Sequence, residues 1–191
     1  MSERSADQSA WQQLQQRLGR ELATLPESEH LWLRRQLADI ARLQEQLHAY
    51  FLTAEGEAAC RDCLGACCAH GKHHLTLANL IAAHVNGIEL SPDEAFTCPL
   101  LTPQGCQLPV AQRPFNCVTF ICERIEDALL PAQRDDFYRL ERLLRRCYEA
   151  FDRRYAGSSL RGIYIRLERL GERPLFGPSL TPNVGISSGE D

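Results

Sequence analysis

The sequence predicts a mainly α-helical domain around a small, irregular, cysteine-rich core, with at most a short β-hairpin. Three observations lead there. Segments near residues 11–22, 27–54, 76–87 and 137–155 carry apolar side chains at the 3.6-residue helical period. All of the nine cysteines except Cys147 fall between Cys60 and Cys122. One pair of short runs, within residues 98–108, reads as two strands around a turn. A chain of 191 residues is long enough for one domain of ordinary size. Within it we distinguish an N-terminal helical segment (1–56), a cysteine-cluster region (57–125), a C-terminal helical segment (126–170) and a loosely ordered tail (171–191).

The first helix follows from Trp11, Leu14, Leu18 and Leu22, and Pro26 breaks it by removing a backbone donor. The second spans about residues 27–54, with Leu33, Leu37, Ile40, Leu47 and Phe51 on one face and Gln44, beside Leu43, interrupting the stripe. Gly56 is the expected stop. The pair forms a helical hairpin, although a coiled-coil arm between two chains would show the same pattern. Thr76 is placed to cap a third helix whose buried stripe is Leu77, Leu80, Ile81 and Val85 and whose end is Gly87. Ser91-Pro92-Asp93-Glu94 has the form of a capping box with proline at the first helical position. Cys98 to Leu108 supplies the hairpin, turning at Pro103-Gln104-Gly105. The last long helix carries Phe137, Leu140, Leu144, Cys147, Tyr148, Phe151 and Tyr155 on one face, and a shorter one covers Leu160 to Leu170. Cys147 belongs to that apolar face as a small hydrophobe, outside any site.

Hydrophobic content of 44%, charged content of 24% and a net charge of −4 are those of a soluble globular protein and speak against nucleic-acid binding, which needs a basic surface. The first residues contain no signal-peptide core, and no segment approaches the roughly 18 apolar residues of a membrane helix. A cytoplasmic location is therefore expected, where thiols stay reduced, and nine cysteines then point to metal ligation rather than to disulfides.

The spacing supports this. Cys60-x2-Cys63-x3-Cys67-Cys68 is followed by Cys98-x7-Cys106 and then Cys117-x4-Cys122. Short loops between thiolates close on one ion with little loss of chain entropy. The neighbours of the first cluster are Arg, Asp, Gly and His, which seldom line an apolar core. Adjacent side chains in an extended segment point apart, so Cys67 and Cys68 serve two metals, or one bridges, or one stands behind the other as a supporting thiol. Eight thiolates satisfy two four-coordinate zinc ions or two iron–sulfur clusters, such as 4Fe–4S, or one centre with several to spare. His70, His73 and His74 are further candidate ligands, to be weighed against a solvated loop beside the site. The chain has no glycine-rich phosphate loop and no G-x-S-x-G elbow. Cys60-Arg61-Asp62-Cys63 is formally a C-x-x-C, but it lacks the βαβ setting of thioredoxin-type motifs.

Taken together, the Gly-Ala-Cys-Cys cluster, Cys98-Pro-Leu-Leu with Gly105-Cys106, and Arg113-Pro-Phe-Asn-Cys117 resemble the CxxCxxCC cysteine-cluster family, described as a zinc- or iron-chelating domain. Flagellin lysine N-methylases carry the same kind of domain. The likeness covers roughly residues 60–122. It implies ligand roles for Cys60, Cys63, Cys67, Cys68, Cys98, Cys106 and Cys117, and Cys122 joins them as partner of the third pair. Three functions compete: a metal-binding module, a methyltransferase-like enzyme of the flagellin lysine N-methylase type, and a thiol redox sensor. No acid–base pair or cofactor motif stands out, which favours the first.

Overall fold

The structure is a computed structural model that describes residues 3–63, 66–67, 74–91, 98, 100–102, 105–155, 160–171 and 173–176. It is mainly helical, with one two-stranded antiparallel sheet. Helix α1 (Glu3–Ala23) and helix α2 (Glu27–Thr53) meet at Pro26, the N-cap of α2. Glu27 and Glu29 in the first turn of α2 suit the positive end of its dipole. Helix α3 (Gly56–Asp62) follows after Ala54 and Glu55.

Gly56, expected as a stop, instead opens α3. The left-handed residue of the break is Glu55, at φ 51°. Glycine is required at 56 for another reason: a Cβ there would lie 2.4 Å from Cε2 of Phe51. The bare backbone lets the chain fold back onto that ring.

Helix α4 (Leu77–Val85) begins after Thr76, and its C-terminus is closed by Gly87 at φ 65°. There the Gly87 N–H donates to His84 O and the Ile88 N–H to Ala83 O, a Schellman pair that satisfies two terminal carbonyls. Val85 is 56% exposed rather than buried. The residues from Leu77 to Ala83 are all buried, so α4 enters the core with its first two turns and only its last turn emerges.

Strands β1 (Leu101–Thr102) and β2 (Gly105–Cys106) pair with Leu101 opposite Cys106 and Thr102 opposite Gly105. The hairpin predicted within residues 98–108 is present. The capping-box reading at residues 92–94 lies outside the described residues. A single 3₁₀ turn (Val110–Gln112), helix α5 (Phe115–Thr119) and helix α6 (Glu123–Ala128) then give the cysteine region more helix than its spacing implies. Helix α7 (Pro131–Arg154) starts with proline at its first position, where the missing N–H costs nothing. Helix α8 (Leu160–Leu170) is the last among the described residues.

The frame of the molecule is α2 against α7. They run antiparallel, because Glu29 at the start of α2 bonds Arg154 and Tyr155 at the end of α7, while Tyr50 near the end of α2 bonds Asp136 near the start of α7. One core joins Leu14 and Leu18 of α1, Leu33, Ile40 and Leu47 of α2, Leu80 and Ile81 of α4, Phe137, Leu144 and Phe151 of α7, and Ile163 of α8. The chain from Gly171 was expected to be loose, yet residues 173–176 are docked. Leu175 is fully buried, the N–H groups of Leu175 and Phe176 donate to Glu21, and Arg17 donates to the carbonyls of Gly171 and Arg173. Among the described residues no helix is long and apolar enough to cross a membrane.

Candidate metal centre

Two arrangements of sulfur emerge from this frame. The first lies at the corner between α3 and α6. Cys60 stands in α3, Cys63 is its C-cap, Cys67 follows, and Cys122 is the N-cap of α6. A small apolar cluster of Ala54, Ala59, Ile125 and Leu129, with Cys60 and Ile121 packed on it, docks α6 onto α3. The ion pair Arg124 Nη2 to Asp62 Oδ2, 2.8 Å, spans the same junction. Burial pushes the Cys60 thiol up, and the thiols of Cys67, Cys63 and Cys122 push it the same way. The α3–α6 junction thus carries Cys60 and Cys63 on one side and Cys122 on the other.

Cys63, Cys67 and Cys122 are exposed, as an ion or cluster arriving from solution requires. Arg124 is the cation of this corner. Its guanidinium is held charged chiefly by Asp62, and Cys122 and Cys63 add to the effect. A thiolate cluster carries net negative charge, which an arginine beside it offsets.

The second arrangement is a pair. Cys117 of α5 lies with Sγ 3.6 Å from Nδ1 of His74. Both positions hang from one buried polar knot. Asn79, 1% exposed on α4, accepts through Oδ1 from the backbone N–H and the hydroxyl of Thr76, at 3.1 and 2.6 Å. Its Nδ2 donates toward the carbonyls of Gln112 and Arg113 and to the Tyr148 hydroxyl. Gln44, 0% exposed, and Tyr148 donate to the same Arg113 carbonyl. Phe115 anchors α5 further, edge-on to Tyr148 at 5.6 Å and beneath the Arg145 guanidinium at 4.8 Å. Burial pushes the Tyr148 hydroxyl far up, so it is a neutral donor throughout the physiological range.

The remaining candidates are placed differently. Cys98 and Cys106 are half-buried on the hairpin, packed against the main core. Cys68, His70 and His73 lie outside the described residues. Cys147 faces α2, where burial first and then Asp39 raise its thiol pKa. Among the described residues no three His, Cys, Asp or Glu side chains converge to hold an ion. The donor chemistry does fit a soft or borderline metal. The described cysteines form no disulfide with one another, and Cys60, Cys63 and Cys122 flank one junction beside Arg124.

Sequence reasoning passed over Asn79, Arg124 and Asp62. Asn79 did leave a signal, as the one amide inside the otherwise apolar run Leu77 to Ala83. The Arg124–Asp62 pair left none, because its partners are 62 residues apart in the chain. Comparison with protein-family models, with curated proteins and with solved structures found no match to this chain.

Proposed function

We propose that this protein is a metal-binding module whose clustered thiolates chelate zinc or an iron–sulfur cluster. The candidate ligands are Cys60, Cys63, Cys67, Cys68, Cys98, Cys106, Cys117 and Cys122. One observation carries the reading: α6 docks on α3, with Arg124 bonded to Asp62, so that Cys122 stands at the same junction as Cys60 and Cys63. Local pairs supply two ligands each, and a closed tetrahedral site needs four, so sulfurs from both halves of the region have to meet. A bound metal would cross-link α3 to α6 there, across a junction whose apolar contact is otherwise small.

Anaerobic purification followed by metal and acid-labile sulfide analysis tests this. Brown protein with sulfide means an iron–sulfur cluster, colourless protein with zinc a zinc site, and protein without metal defeats the reading. Cys63→Ser and Cys117→Ser are expected to lower metal content, since serine is a poor ligand. Cys147→Ser, on the α2–α7 interface, is expected to leave the stoichiometry unchanged. Equal loss in all three variants would show that Cys147 also ligates.

A further inference from the structure

The contact between Cys117 and His74 has a dimension that bears on coordination. In a tetrahedral zinc site, with Zn–S of about 2.3 Å and Zn–N of about 2.0–2.1 Å, neighbouring sulfur and nitrogen ligands stand about 3.6 Å apart. Cys117 Sγ and His74 Nδ1 are 3.6 Å apart. We propose that His74 is a nitrogen ligand at the Cys117 position, binding metal through Nδ1 beside the Cys117 thiolate. This rests on the metal-binding reading above, in which Cys117 is a ligand, and gives the Cys117 site a mixed sulfur–nitrogen donor set.

Three features of the fold hold the pair ready. Leu75, next to His74, is buried in the main core and fixes where the histidine leaves the surface. Thr76, two residues on, is bonded through both its N–H and its hydroxyl to Asn79. The same Asn79 amide reaches the Arg113 carbonyl, and Cys117 follows within one turn, its N–H donating to Pro114 O at 2.9 Å. A single buried side chain thus ties together the two strands of backbone that carry the pair, 43 residues apart in sequence. Preorganisation of this kind lowers the ordering cost of binding. His74 is half-buried and Cys117 is exposed, so the pair lies within reach of solvent. A thiol donating to an imidazole gives a similar separation, so a measurement that sees the metal's neighbours has to choose.

The test uses the full chain, stripped of metal under anaerobic conditions and reloaded with zinc alone, and reads zinc-edge X-ray absorption together with zinc affinity by chelator competition. In the wild-type chain the expected shell has imidazole nitrogen near 2.0 Å among sulfurs near 2.3 Å. His74→Ala is expected to lose the nitrogen scattering and to weaken zinc binding by more than the roughly 10- to 100-fold typical of losing an outer-shell partner. His74→Cys, which restores a ligand, is expected to hold zinc in an all-sulfur shell. An all-sulfur shell in the wild type overturns the assignment and leaves thiolate chelation standing. So does His74→Ala with unchanged shell and affinity. A wild-type chain that takes up no zinc overturns the assignment too, and the metal-binding reading falls with it only if the protein as purified also lacks iron and sulfide.

Discussion

At the scale of single residues, Asn79 shows how one polar side chain can organise a core. Its buried amide serves Thr76 on one side and Gln112, Arg113 and Tyr148 on the other. Asn79→Ala removes these bonds at once and leaves the Thr76 N–H and the Gln112 carbonyl without that partner. Each buried polar group left unpaired costs about 1 to 3 kcal/mol, so destabilisation of at least that size is expected in denaturant titration. Gln44→Met should cost less. The Arg113 carbonyl it abandons keeps Asn79 and Tyr148 as donors, and methionine fills a similar volume. Equal costs for the two substitutions would show that the knot is held from α2 rather than from α4.

At the scale of elements, α2 and α7 are pinned at both ends by side-chain bonds as well as by packing. At one end Arg154 and Tyr155 both donate to Glu29, and the Trp32 ring lies 4.6 Å beneath the Arg154 guanidinium. The bond from Arg154, then that from Tyr155, holds the Glu29 carboxyl below its ordinary pKa of 4.5. A carboxyl depressed in the folded state binds its proton more readily when unfolded. Its stabilising contribution is therefore complete above pH 4.5 and is lost as pH falls through the lower folded value. Wild-type protein should lose stability on acidification below that point, and Glu29→Gln should flatten the slope. The check is a series of urea midpoints from pH 6 down to about pH 3, bracketing the ordinary glutamate value. An identical acid limb in the variant would show that this end of the pair contributes nothing through Glu29. Asp136 shifts in the same direction at the other end, through Arg139 first and Tyr50 second, so some acid sensitivity should persist in the variant.

At the scale of the whole molecule, stability is divided unevenly. The α1, α2, α4, α7 and α8 assembly has a large apolar core, whereas the α3–α6 corner rests on four small or medium buried residues, one ion pair and its thiols. A structural metal–thiolate site contributes on the order of 10 kcal/mol at neutral pH, comparable with the whole net stability of a domain. Chelation should accordingly open the corner first. Amide hydrogen exchange is expected to lose protection in α3 and α6 on metal removal, while the central turns of α2 and α7 stay protected. Unchanged exchange after complete metal removal would mean that the metal is incidental to the fold.

Much of this architecture is legible along the chain because helical periodicity is local. The stripe of Phe137, Leu140, Leu144, Tyr148, Phe151 and Tyr155 states both that α7 is a helix and which face is buried, and each of these residues is buried. Gln44 reads in sequence as a flaw in the α2 stripe, and in space it is one of the donors to Arg113. Gly56 reads as a terminator, yet its role is to admit the Phe51 ring. The cysteine spacing likewise announces clustered thiols without saying which of them meet. Cys122 stands at the same junction as Cys60 because α6 docks on α3, and His74 reaches Cys117 because Asn79 joins two distant backbones. Periodicity and spacing depend on neighbours within a few residues, so a linear reading captures them. Pairings across 43 or 62 residues depend on how helices pack, and packing is settled by the shapes of many side chains acting together.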